Sequence, residues 1–126
     1  RRAALERPGP ERPVTTATVT PLGTVDGVCT LAVAGEVDLA NAAEVEDRIL
    51  DHTANDLVGV VLDLDGLDYL DSTGLRLLFT LAARLEISQI GLELVVTAGS
   101  PVRRALEITG MTRMVSLRPP GEPGPS

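Results

Sequence analysis

Apolar and polar positions along the chain change period several times, and each change marks an element. Residues 14–20 and 27–34 are β-rich runs, and the segment between them ends in Asp26-Gly27, which suits a hairpin turn. Over residues 39–54 the period lengthens: Ala42, Val45 and Ile49 recur at helical spacing, and Glu44 stands four residues before Arg48. Asp38 precedes this stretch as the expected N-cap. Residues 57–64 form a nearly continuous apolar run of strand length, the pattern of a strand covered on both faces. A second helix is expected from about Thr73 to Ser88 and a strand over 91–97. Ser100-Pro101 then opens a third helix that Gly110 closes, and a short last strand covers 112–117.

The order β-β-α-β-α-β-α-β, with helices as crossovers, predicts an α/β fold: a mixed, mostly parallel sheet with helices packed against it. Residues 13–118 carry this pattern as one domain. Residues 1–12 and 119–126 are rich in Pro and Gly, lack periodicity, and read as disordered tails. With no methionine at Arg1, the chain reads as processed or as a piece of a longer protein.

Composition narrows the function. A net charge of −7 and only two aromatic residues, Tyr69 and Phe79, argue against nucleic acid as a partner: there is neither a basic face nor a stacking platform. The acidic balance suits a basic protein partner. No apolar run reaches membrane-spanning length and the N-terminus does not resemble a signal peptide, so a cytoplasmic location without membrane attachment is expected. Cys29, the one cysteine, lies in an apolar run and reads as a buried structural thiol. The chain contains no lysine, which removes a P-loop ATPase, a Schiff-base enzyme and a Ser-x-x-Lys hydrolase.

Asp63, Asp65, Asp68 and Asp71 invite a metal or acid-base reading. An EF-hand loop starting at Asp63 requires an oxygen ligand at Leu67 and a Glu at Gly74. The expected arrangement is instead that Asp63 ends a strand and the others line a strand-to-helix loop. Ser72 lacks the glycine two residues earlier that a nucleophile elbow needs, and the only histidine, His52, falls toward the end of the first helix. One Cys and one His do not make a zinc site. The reading is therefore no enzyme, no metal and no cofactor.

The segment Leu67-Asp68-Tyr69-Leu70-Asp71-Ser72-Thr73-Gly74-Leu75 remains. It reads as a helix start with Asp71 or Ser72 as cap. Two features exceed that reading. Thr73 and Gly74 are poor helix formers in a first turn. The helix is also apolar beyond its core stripe, with Leu77 and Leu81 off the centre. Either this helix is deeply buried or its flank is a docking surface.

These residues resemble the STAS domain of the anti-sigma factor antagonist family. The matching pieces are Gly35-Glu36-Val37-Asp38, Leu39-Ala40-Asn41-Ala42, Val60-Val61-Leu62-Asp63-Leu64 and the hallmark Asp71-Ser72-Thr73-Gly74-Leu75. The resemblance implies a STAS fold and a protein that binds an anti-sigma factor, itself a serine kinase, and thereby releases a sigma factor. It implies that Ser72 is the phosphoacceptor whose modification ends binding, that a phosphatase reverses this, and that the Asp38 loop lies beside it. The partner surface expected is Asp38, Asp71, Ser72, Thr73, Gly74, Leu75 and Leu77. The alternative is a STAS interaction module without a switch: a stressosome-like scaffold, a lipid-transport subunit or a transporter tail.

Overall fold

A computed structural model describes residues 17–53 and 56–121. The expected tail 1–12, the strand start at 14–16, Ala54 and residues 122–126 lie outside these described residues. Among the described residues five strands form one sheet in sequential order: β1 (Ala17–Val25), β2 (Val28–Val37), β3 (Gly59–Leu70), β4 (Gly91–Val95) and β5 (Ser116–Arg118). The β1–β2 pair is antiparallel and the other three pairs are parallel. Three helices make the crossovers: α1 (Ala42–Asp51), α2 (Ser72–Ile87) and α3 (Pro101–Ile108). Among the described residues no helix is long and apolar enough to cross a membrane.

Every crossover advances one strand in the same direction, and right-handed connections of that kind place all three helices on one face. Side-chain burial follows. Cys29, Leu31 and Val33 of β2 and Val60, Leu62 and Leu64 of β3 are buried in one core with Ile49, Leu78, Leu81, Leu85 and Leu106 of the helices. Among the described residues no helix lies over the other sheet face. There Val61 pairs in register with Glu93, whose carboxylate meets Arg118 at 2.9 Å. The strand read as covered on both faces is thus helix-covered on one.

Asp26 and Gly27 both have positive φ (53° and 80°), as a two-residue hairpin turn of the type favoured by strand twist requires. The strands it joins are longer than the apolar pattern indicates. β1 continues through Pro21 with a bulge between Pro21 and Gly23; within sheets proline is confined to edge strands and bulges, and here β1 is an edge of the sheet and bulged at that point. α3 starts as expected: the Ser100 hydroxyl accepts a hydrogen bond from the Arg103 N–H at 3.1 Å, and Pro101 opens the helix. A 3-10 turn at Met111–Arg113 takes the first residues of the expected last strand.

β3 departs most from expectation. It does not end near Asp63; it runs to Leu70 alongside β2. Between Ala32 and Ala34 the register takes in an extra residue on β3, and between Gly35 and Glu36 it takes in a second. Such bulges bend a strand and re-aim its side chains. Asp65 and Asp68 therefore stand on a bulged strand rather than in a loop. The Asp63 carboxylate accepts from the Asp65 N–H at 3.0 Å across the first bulge. The Asp65 carboxylate in turn accepts from the Thr97 N–H at 3.0 Å and from the Thr97 hydroxyl. Asp65 thus ties the bulged middle of β3 to the segment after β4.

Candidate functional site

Strands β2 and β3 are parallel, so both deliver their chains to the same end of the sheet. Their last residues, Val37 and Leu70, are register partners. The Asp71 N–H points to the Val37 carbonyl at 3.4 Å, so the segments that follow run side by side. On the β3 side the chain turns directly into α2. Asp71 is the N-cap in extended conformation, and its Oδ1 accepts from the N–H groups of Thr73 (2.9 Å) and Gly74 (3.0 Å). Two of the four unpaired N–H groups of the helix start are thereby satisfied. Ser72 is the first helical residue and is exposed. Thr73 is half-buried and Leu75 is half-buried against the core.

The β2 side is held from within. Asp38 does not cap α1; one further turn separates them, and Asn41 is the N-cap residue. The Asp38 carbonyl accepts from the N–H groups of Asn41 (3.2 Å) and Ala42 (2.9 Å), while its carboxylate accepts from the Ala40 N–H at 2.9 Å. The Asn41 side chain caps nothing. Its Oδ1 accepts from the Asp38 N–H at 3.0 Å and its Nδ2 donates to the Glu36 carbonyl at 2.8 Å. One amide thus braces both sides of the Glu36–Asp38 corner. Asn41 three residues before Glu44 is a helix-start pattern in its own right, and that was the available sign.

The structure brings Asp38, Asp71, Ser72 and Thr73 to one end of the sheet, with Leu75 a turn further on. It separates two other expected contacts from them. Leu77 is 6% exposed and belongs to the core with Leu78 and Leu81, so its side chain faces inward. Gly74 is also buried. A Cβ at Gly74 would lie 2.3 Å from Leu70 Cδ1 and 3.2 Å from Val37 Cγ1. This glycine makes room for Leu70 and Val37, not for a visitor. The broad apolar circumference of α2 is therefore explained by deep burial.

His52, the C-cap of α1, stands where the parallel strands begin, at the far end from Ser72. Among the described residues no group of three or more His, Cys, Asp or Glu side chains is placed to hold a metal ion.

A five-stranded mixed sheet with this sequential order, and a serine opening the helix after its central strand, define a STAS domain. The chain matches that family over residues 21–120 and belongs to it. It is 34% identical over 93 residues to RsfB of Mycobacterium tuberculosis, an anti-sigma-F factor antagonist, covering 73% of this chain and 74% of that protein. It is 37% identical over 87 residues to BtrV of Bordetella bronchiseptica, named as a candidate anti-sigma factor antagonist, covering 68% and 73%. Among solved structures, an anti-sigma factor antagonist from Mycobacterium paratuberculosis superposes with a TM-score of 0.70 at 27% identity, covering 82% and 86% of the two chains. Unphosphorylated SpoIIAA superposes at 0.65 with 17% identity, covering 83% and 90%, a likeness of fold alone.

Proposed function

We propose that this protein is an anti-sigma factor antagonist: it binds an anti-sigma factor that is also a serine kinase, a sigma factor is released, and phosphorylation of Ser72 ends the interaction until a phosphatase restores it. The observation that carries this reading is the position of Ser72, exposed as the first residue of α2 beside the Asp38 corner. The relatives named as antagonists support the same role.

The position suits a switch that alters binding and leaves the fold intact. A phosphoserine adds about −1.5 to −2 charges and three acceptor oxygens. At a helix N-terminus such a charge is favoured by roughly 0.3–1 kcal/mol, so α2 accommodates it. A partner fitted to the hydroxyl does not. The phosphoryl group needs room that a partner closed over the small hydroxyl does not leave, so the partner must withdraw from its contacts; losing roughly 2–3 kcal/mol of them weakens affinity roughly thirtyfold or more.

The test is titration of the purified anti-sigma factors of the source organism, one by one, against wild type and Ser72→Ala, with and without ATP. One of them should bind both proteins without ATP and only Ser72→Ala after incubation with ATP. Equal affinity for wild type, Ser72→Ala and Ser72-phosphorylated protein refutes the reading.

A further inference from the structure

Among the described residues, two large apolar side chains stand in solvent at the Ser72 end of the sheet. Leu39, in the turn between β2 and α1, is 80% exposed, and Tyr69, the residue before Leu70, is 50% exposed. A leucine presented this fully gives up the free energy that burial would supply. Its segment is not loose: the Asn41 side chain bonds to the main chain at both Glu36 and Asp38, and Asp38 bonds to Ala40. Leu39 is thus held out on a braced turn, and little conformational entropy is left to lose when it is covered.

We propose that Leu39 is the apolar anchor of the docking surface beside Ser72, and that the partner receives it in an apolar pocket rimmed by basic side chains. This inference rests on the antagonist reading and gives the partner's surface its chemistry. Continuity is one ground: Leu39 lies two residues beyond Val37 and Ser72 two beyond Leu70, and those two are register partners. Charge is the other. Glu36, Asp38, Asp68 and Asp71 gather at the ends of β2 and β3, while Arg76 is the one arginine in the first two turns of α2. Arginines 103 and 104 belong to α3, on the side of β4. A leucine among carboxylates fits a pocket whose rim is basic and repels one whose rim is acidic. Ile87 is as exposed, at 83%, yet lies at the C-terminal end of α2, at the opposite pole from Ser72.

The test uses the same panel of purified anti-sigma factors, with Leu39→Ala, Ile87→Ala, Asp68→Asn and Ser72→Glu beside wild type. Asp68 is exposed, so its replacement alters charge at the rim. Leu39→Ala should bind the responding anti-sigma factor about tenfold or more weakly, through faster dissociation, with wild-type melting behaviour and wild-type salt dependence. Asp68→Asn should slow association and flatten its decline between about 50 and 300 mM salt. Ile87→Ala should bind as wild type does. Leu39→Ala binding like wild type while Ser72→Glu fails to bind overturns the anchor and leaves the antagonist reading standing. Wild-type association that does not fall with salt overturns the basic rim. Absence of binding by wild type to every anti-sigma factor overturns both readings.

Discussion

Replacing Gly74 by alanine tests the packing on which the site stands. Gly74 occupies the third position of α2, where alanine is the better helix former by up to about 1 kcal/mol. Considered alone, that predicts stabilisation. The added Cβ, however, would fall 2.3 Å from Leu70 Cδ1 and 3.2 Å from both Leu70 Cγ and Val37 Cγ1. Leu70 must turn away or α2 must lift from β2, and overpacking of this kind costs about 1–3 kcal/mol. The overlap wins, leaving a net loss of roughly 1–2 kcal/mol. For a domain of this size that lowers the melting temperature by roughly 5–15 °C. A double-mutant cycle isolates the cause. With Leu70→Ala the space opposite position 74 is empty, so Gly74→Ala should be tolerated there and the pair should couple by roughly 1–2 kcal/mol. The assay is urea or thermal denaturation followed by circular dichroism. Additivity within about 0.5 kcal/mol, or a neutral single variant, refutes the close-approach explanation of this glycine.

Two further outcomes follow from the hydrogen bonds around Ser72. Asp71→Ala removes the acceptor for the Thr73 and Gly74 N–H groups, and urea unfolding should show a loss of about 1 kcal/mol. Asn41→Ala releases the Glu36–Asp38 corner from its brace, and faster amide exchange at Asp38, with exchange in β4 unchanged, should report it.

Much of the architecture was legible because apolar spacing reports which residues a sheet and its helices bury. The runs around Leu31 and Leu62 and the stripe Val45–Ile49 all joined the core they imply. Spacing was silent where the chain obeys a neighbour instead of its own pattern. The stretch Asp63–Leu70 carries four polar or glycine positions in eight and reads as a loop; it is a strand because β2 runs beside it and two bulges absorb the mismatch. Leu77 and Gly74 show the same limit from the other side. A leucine off the stripe and a glycine in a first turn fit a docking face as well as a crowded interior, and only the positions of Leu70 and Val37 decide between them. That Asp38, Asp71 and Ser72 meet at one end of the sheet was legible because parallel strands deliver their chains to the same end, though the cap of α1 is Asn41 and not the expected Asp38. The exposure of Leu39 was not legible, because nothing in a sequence distinguishes a leucine that is held outward from one that turns in.

Asp71 makes both of its helix-capping bonds through one oxygen, Oδ1. A carbonyl oxygen of an amide in the same place would serve the two N–H groups in the same geometry. The two bonds ask only for an acceptor, and the negative charge adds no more than the roughly 0.3–1 kcal/mol that a helix N-terminus returns. Geometry and charge are thus largely separable in one side chain, so the charge beside Ser72 can change at little cost to the fold when something meets that serine from outside.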